Sequence, residues 1–208
     1  MSTDTNISCK PFRLVLASAS PRRREMLEER GYAFEVVIPP LNEPAELAGR
    51  PTAARMAEAL SFYKARSVAD HMEHGIVLAA DTVVALEGRL FGKPVDRDDA
   101  RRIIRSLAGT AHDVITGVTL LDAASNRRAI ESDTTVVVMK PLSDEQIETY
   151  LDTLAWQGKA GAYGIQDHGD TFVERYEGSF TNVVGLPIDL TIRLLSAWGI
   201  EPTSKNAG

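Results

Sequence analysis

The sequence contains one cysteine, Cys9, so no disulfide bond can form within the chain. It also contains no apolar run that approaches the roughly 20 residues of a membrane-spanning helix, and residues 1–9 lack the apolar core of a signal peptide. A single thiol near a terminus is typical of proteins in a reducing compartment. These absences predict a cytoplasmic protein with no membrane association.

Positive charge is scarce as well, because 23 Lys and Arg residues stand against 29 Asp and Glu residues and leave a net charge of −6. Proteins that coat nucleic acid are usually basic, so this balance argues against nucleic-acid binding. A nucleotide ligand stays open, since a triphosphate needs only a local cluster of cations and a metal ion. The length suits one compact domain, or one domain with two lobes around a cleft.

Three familiar functional patterns are missing. His71 and His74 have no cysteine or carboxylate partners at zinc-site spacing, and they are interpreted as a surface pair. His112 has no nearby nucleophile that would suggest a catalytic triad. Residues 88–93 lack the G-x-x-x-x-G-K-[ST] spacing of a phosphate-binding P-loop.

Strand and helix signals are mixed without a strict β-α-β rhythm, and they predict an α/β fold with a mixed sheet. Strands are predicted at residues 13–17, 34–38, 76–80, 83–86, 89–91, 114–121, 128–139 and 181–186. Helices are predicted from Pro21 to a stop at Gly31, over residues 52–68, from Asp96, after a cap at Ser143, and over residues 187–198. Residues 1–9 and the tail from residue 201 are expected to be flexible.

A polar and basic segment, S-A-S-P-R-R at residues 18–23, lies between the first strand and the first helix. The N-terminus of a helix attracts phosphate through its N–H groups and its partial positive charge. Ser18 and Ser20 add hydroxyl groups, and Arg22 and Arg23 add guanidinium groups that can grip a phosphate with paired hydrogen bonds. Phosphate binding and a solvated basic first turn are the two interpretations of this segment.

Two further residues have a similar pair of interpretations. Asp81 follows the apolar run 76–80, where a carboxylate can hold a divalent cation or orient a water molecule; the alternative is an aspartate that starts a turn. Lys93 stands between glycine and proline in F-G-K-P, which would aim it at a phosphate. Its alternative is a solvated surface lysine.

Gln166 follows glycines that allow a close approach of the backbone. Its amide can donate and accept a hydrogen bond at once, as reading the edge of a base requires. Glu43, in a proline-rich loop, and Lys64, near the end of a helix, would each be interpreted alone as surface residues.

Six segments occur in order along the chain: L-A-S-A-S-P-R-R-R-E-M-L (16–27), A-A-D-T-V-V (79–84), G-K-P (92–94), S-L-A-G-T-A-H-D-V-I-T-G-V (106–118), K-A-G-A-Y-G-I-Q (159–166) and F-V-E-R-Y-E-G-S-F-T-N-V-V-G-L-P (172–187). Together they closely resemble the Maf family of nucleotide pyrophosphatases. The resemblance implies one Maf-like domain over residues 1–208, with a two-lobed Maf/ITPase-like α/β fold, a long mixed β-sheet and a central cleft. It also implies a homodimer, and hydrolysis of a nucleoside triphosphate to the monophosphate and pyrophosphate with Mg²⁺ or Mn²⁺.

The resemblance assigns roles to single residues. Asp81 matches the family's proton acceptor, and with Glu43 it would hold the metal; whether Asp81 acts as base or as metal ligand is left open. Arginine, threonine and glutamine at positions 22, 82 and 166 resemble the branch that acts on dTTP and UTP, rather than the branch that prefers 7-methyl-GTP. Phosphate contacts are expected from Ser18, Ser20, Arg22, Arg23, Lys64 and Lys93.

The sequence departs from the family pattern at a few positions. Asn42 replaces an acid that often precedes the loop glutamate, Asp167 replaces a glycine after the glutamine, and residues 153–157 lack the usual acidic turn. These departures concern substrate preference and rate more than reaction class. The alternatives are a pyrophosphatase for modified nucleotides and a nucleotide-binding regulator of cell division; the carboxylates Asp81 and Glu43 favour an enzyme.

Overall fold

The structure, a computed structural model, describes residues 13–40, 51–166 and 170–203. Its strands are β1 (Leu14–Ala17), β2 (Glu35–Val37), β3 (Ile76–Leu86), β4 (Arg89–Phe91), β5 (Ala111–Asp122), β6 (Arg128–Met139) and β7 (Val173–Glu177). Its helices are α1 (Pro21–Glu29), α2 (Ala53–Ala69), α3 (Arg97–Leu107), α4 (Asp144–Asp152), α5 (Phe180–Val184) and α6 (Ile188–Ala197), with short 3₁₀ turns at Ala160–Ala162 and Asp170–Phe172. None of the described helices is long and apolar enough to cross a membrane.

The strands form one seven-stranded mixed sheet in the order β2-β1-β3-β5-β6-β7, with β4 paired to the end of β3. Strand β1 is parallel to both of its neighbours, and the other pairs are antiparallel. The last partner of β1 on β3 is Ala79, whereas β3 continues to Leu86. The sheet is therefore open beside β3 from residue 80 to residue 83, between the carboxyl end of β1 and the pairing with β4.

Two hydrophobic clusters divide the long strands between them and confirm the two-lobed fold. One contains Leu78 from the first half of β3 and packs it against α1 and α6. The other contains Val84 from the second half and packs it against α3 and α4. The open part of β3 lies between these two clusters.

Helix α2 lies across the other face of the sheet at unusually close range. A Cβ atom built on Gly117 of β5 would lie 2.3 Å from the carbonyl oxygen of Ala57 in α2, which is far inside van der Waals contact. Only glycine fits this crossing. Helix α2 can therefore bring its side chains down onto β3.

Most of the predicted elements are confirmed, and their caps explain why. Asp96 accepts from the N–H of Asp99 at 2.8 Å, and Ser143 forms a capping box with Gln146. Gly31 follows α1 with a φ of 76°, as expected of a residue that ends a helix.

Two strand predictions are wrong. The run 76–80 does not end before Asp81, because β3 continues to Leu86 in an unbroken register with β5 that places Asp81 opposite Gly117. The run 181–186 is not a strand but contains α5. Ser179 caps this helix by accepting from the N–H of Asn182, and Gly185 ends it with a φ of 118°. These local signals outweigh the β-branched residues between them.

The strand β7 was not predicted from the sequence, since V-E-R-Y-E is mostly polar and exposed.

Part of the C-terminal tail is also held more firmly than expected. The N–H of Thr203 donates to the carbonyl oxygen of Gly31 at 2.9 Å, so this residue is tied to the turn that follows α1. Residues 1–12, which include Cys9, lie outside the described residues.

Candidate active site

A cavity of about 450 Å³ opens where β3 passes the end of β1, between the two lobes. It is lined by nine residues that the sequence singled out, namely Ser18, Ser20, Arg22, Arg23, Lys64, Asp81, Thr82, Lys93 and Gln166. Glu43, the remaining predicted site residue, lies outside the described residues, as do Asn42 and Asp167. The structure therefore brings together every described member of the predicted site.

Asp81 is buried, with 4% of its surface exposed. Along β3 it has the same orientation as Ala79 and Val83, and both of these pack on the α2 side of the sheet. Lys64 of α2 reaches it there, and its ammonium group donates to Oδ1 of Asp81. The carboxylate of Asp81 is thus held at the cavity wall by Lys64. The sequence alone would have placed this lysine at the surface.

Thr82 points to the opposite face of the sheet and meets Arg23 from α1. Nη2 of Arg23 lies 3.2 Å from Oγ1 of Thr82, and Nη1 donates to the carbonyl oxygen of Ala80 at 2.7 Å. Nε donates to the carbonyl oxygen of Gly185, also at 2.7 Å. One guanidinium group therefore joins α1, β3 and the end of α5.

The first turn of α1 faces the cavity. Ser20 holds the N-cap position, but its side chain makes no capping hydrogen bond, and no acidic residue lies in the first turn. Ser18 instead accepts from the N–H of Ser20 at 3.1 Å, which shapes the approach to the helix. The positive end of the helix dipole, together with Arg22, is therefore directed at the cavity, as anion binding requires.

A basic residue that sequence reasoning missed is Lys159, which lines the cavity within the segment 157–166. Its ammonium group donates to the carbonyl oxygen of Ala155, and the N–H of Gly161 donates to the carbonyl oxygen of Gly92, next to Lys93. The signal was present in the K-A-G-A-Y segment, but a lone lysine has no local signature. The basic residues on the wall are Arg22, Arg23, Lys64, Lys93 and Lys159, and within the described ranges Asp81 is the single acidic one.

Tyr163 forms part of the wall and is fixed from behind by His112. The Tyr163 hydroxyl lies 2.7 Å from Nε2 of His112, and both side chains are buried. Burial lowers the pKa of His112 to about 4 and raises the pKa of Tyr163 far above its usual value. His112 is therefore neutral near pH 7 and supports the wall, in agreement with the absence of a triad pattern in the sequence.

Comparison with known proteins places the chain in a family. The family model described as "Maf-like protein" matches residues 13–198. The chain belongs to the Maf family. The match runs from before Ser18 to beyond Gly185, so it contains every described residue of the cavity.

Curated Maf relatives are similar over most of their length. A protein of Pelotomaculum thermopropionicum named dTTP/UTP pyrophosphatase is 42% identical, over 89% of this chain and 96% of that protein. Proteins with the same name from Carboxydothermus hydrogenoformans and Bdellovibrio bacteriovorus are 41% and 43% identical, over 90% and 88% of this chain and 100% and 97% of theirs.

Among solved structures, a nucleoside-triphosphatase / dITP/XTP pyrophosphatase of Mycobacterium abscessus aligns with a TM-score of 0.42 at 14% identity. The alignment covers 63% of this chain and 76% of that one. A likeness of this size carries no weight for the activity of this Maf protein.

The Maf resemblance implies a divalent metal ion, and the described residues fit one kind of metal site. Within the described part of the chain, no group of three histidine, cysteine, aspartate or glutamate residues could enclose a metal. Asp81 alone offers a carboxylate to the cavity there. Mg²⁺ is commonly held by one or two carboxylates together with substrate phosphates and water. The donor set therefore suits a hard cation bound jointly with a triphosphate, and not a closed zinc site.

Proposed function

We propose that this Maf protein hydrolyses dTTP and UTP to the nucleoside monophosphate and pyrophosphate. The observation that carries the proposal is the charge of the cavity. Among the described residues, five basic side chains and one buried carboxylate line it, in a chain whose net charge is −6. A triphosphate is the kind of ligand that such a concentration of cations accommodates. The names of the curated relatives support the pyrimidine nucleotides as substrates.

The same residues supply the parts that phosphate hydrolysis requires. The first turn of α1, with Ser18, Ser20 and Arg22, is proposed to bind phosphate oxygens, and Lys93 and Lys159 to bind them from the facing loops. Asp81 orients the attacking water, and with Glu43 it would hold the metal ion. Bound there, Mg²⁺ or Mn²⁺ would neutralise charge that develops on the phosphates. Lys64, within hydrogen-bond range of Asp81, keeps the carboxylate in place.

Base selection is assigned to Gln166, which lies on the cavity wall with its side chain exposed. Its amide can pair with an adjacent acceptor and donor on the edge of thymine or uracil. A base that left these groups unpaired would lose about 1–3 kcal/mol. The proposal also includes a single domain and a homodimer, which the family resemblance implies, and a cytoplasmic location, which the single cysteine of the sequence favours.

A competition assay tests this proposal. The purified protein is given equal concentrations of dTTP, UTP, CTP, ATP, GTP and 7-methyl-GTP with Mg²⁺, and the remaining nucleotides are quantified by chromatography. We expect dTTP and UTP to be consumed about 10-fold or more faster than the purine nucleotides, as a discrimination of more than 1 kcal/mol requires. Preferred hydrolysis of a purine nucleotide would overturn the base assignment, and binding without hydrolysis would favour a regulator.

A further inference from the structure

We propose that Arg23 and Thr116 are positioning residues that hold Asp81 in place, and that Arg23 acts on the reaction in this way rather than by gripping phosphate. The proposal rests on the hydrolytic role proposed for Asp81. It concerns one residue that the sequence assigned to phosphate and one that it did not assign at all.

Arg23 holds the chain on both sides of Asp81. Its guanidinium group donates to the carbonyl oxygen of Ala80, the preceding residue, and to the hydroxyl of Thr82, the following one. Its third nitrogen, Nε, donates to the carbonyl oxygen of Gly185. Each nitrogen of the group is thus engaged by a protein acceptor, and at least three of the five N–H bonds of an arginine are used. A planar group held at three points fixes the β3 backbone around Asp81 much more firmly than a flexible cation would.

The hydrogen bonds behind Thr82 have only one possible direction. Oγ1 of Thr116 lies 3.0 Å from the carbonyl oxygen of Asn182 and 2.9 Å from Oγ1 of Thr82. A carbonyl oxygen only accepts, so the single hydroxyl hydrogen of Thr116 is given to Asn182. Thr82 must then donate to Thr116. The result is a chain of hydrogen bonds that runs from Arg23 through Thr82 and Thr116 to the backbone of α5.

The far end of this chain is fixed. The side-chain amide of Asn182 donates to the carbonyl oxygen of Val114 and to Oγ1 of Thr135, each at 2.9 Å. Thr135 in turn accepts from the N–H of Ser179 and donates to its carbonyl oxygen. All of these contacts tie α5 to the centre of the sheet. Connected hydrogen bonds in a buried setting reinforce one another.

The direction of the bonds limits what Thr82 can do for the nucleotide. Its hydrogen is given to Thr116 and one lone pair accepts from Arg23, so it has one acceptor position left and no donor. Thr82 can therefore influence the base only as an acceptor, or through its hold on Arg23. Thr116 is fully buried and does not line the cavity, so it acts on the substrate only through its hydrogen-bond partners Thr82 and Asn182.

Thr116→Val tests the proposal, because it keeps the shape of the side chain and removes the hydroxyl. We expect kcat for dTTP to fall about 10–100-fold, the scale of a small misplacement of a catalytic group, while KM changes less than about threefold because every cation of the cavity is kept. Thr116→Ser retains the hydroxyl and should restore kcat. Arg23→Lys should also lower kcat more than it raises KM.

Thr119→Val is the matched control. Thr119 lies on the same strand, is equally buried and bonds to Ser61 of α2 at 2.7 Å, away from Arg23. The Thr119→Val variant should keep kcat near that of the wild type.

Equal kcat values for Thr116→Val and Thr119→Val would overturn the proposal, as would an Arg23→Lys variant that raises KM and keeps kcat. If Thr116→Val does not fold, Arg23→Lys decides. A wild type that hydrolyses no nucleotide overturns the proposed function and this inference with it, whereas an active wild type with unaffected variants overturns the inference alone.

Discussion

The carboxylate of Asp81 meets its partner Lys64 across the contact between β3 and α2. A carboxylate in this position can orient water within the cavity, and loss of such a group commonly costs about 10²–10⁴ in rate. We therefore expect Asp81→Asn to lower kcat for dTTP by that factor while circular dichroism shows a folded protein, since the amide oxygen still accepts from Lys64. Asp113→Asn, an exposed aspartate outside the cavity, is the control. Turnover of Asp81→Asn within a few-fold of the wild type would refute the assigned role.

Lys93 is exposed at the cavity and Arg22 is partly buried there. Both side chains lie outside the hydrophobic clusters, so their removal should change the free energy of unfolding by no more than about 0.5 kcal/mol. A lost hydrogen bond to a charged phosphate should lower kcat/KM for dTTP about 10–100-fold. Steady-state kinetics and thermal unfolding of Arg22→Ala and Lys93→Ala measure both effects, with Arg30→Ala at the far end of α1 as the control. A large drop in melting temperature with normal kinetics would show a structural role instead.

At the scale of elements, the crossing of α2 over β5 is the contact on which the site depends most. It sets the distance between Lys64 on α2 and Asp81 on β3. Gly117→Ala would place a methyl group against the backbone of Ala57 and force the helix away. We expect a loss of about 1–3 kcal/mol in the free energy of unfolding, together with reduced kcat. Denaturant unfolding measures the first, and Gly92→Ala, where a Cβ meets nothing within 4 Å, serves as control. Equal stability of the two variants would contradict the crossing as described.

Helix starts and stops were readable from the sequence because each is set by a few neighbouring residues, such as Ser143 and Gln146. The clustering of the site was not readable from composition or periodicity, since its contacts join distant parts of the chain; Arg23 and Gly185 are 162 positions apart. The Maf resemblance supplied that information. Asp81 was placed at a strand end because the sequence shows where an apolar run stops, whereas pairing with β5 decides where β3 stops.

At the scale of the whole molecule, the stability of the fold should depend on pH through His112. The folded protein keeps this histidine neutral down to about pH 4, whereas the unfolded chain takes up the proton near pH 6.5. The contribution is therefore fully present above pH 6.5 and is lost as the pH falls toward about 4. The total loss should be about 3 kcal/mol. Glu148 affects stability only at a lower pH than His112. Hydrogen bonds from Arg101 and Arg97 lower its pKa from 4.5 to about 2.

Denaturant unfolding between pH 4.5 and pH 7.5 measures this dependence. His112→Gln should flatten the curve in that range, because the titrating group is gone, and His74→Gln, an exposed histidine, should leave it unchanged. A curve for His112→Gln as steep as that of the wild type would assign the acid sensitivity to other groups.

The distribution of charge over the whole molecule leads to the central claim, that the cationic cavity between the lobes cuts a pyrimidine nucleoside triphosphate between its α and β phosphates. Identification of the products tests it most directly. Wild-type protein is incubated with dTTP and Mg²⁺, and the nucleotide and phosphate products are separated and quantified over time. We expect dTMP and pyrophosphate in equal amounts from the earliest time points. The Asp81→Asn variant should form both products only at the reduced rate expected for that variant. Formation of dTDP and orthophosphate, or no turnover of dTTP by the wild type, would contradict the claim.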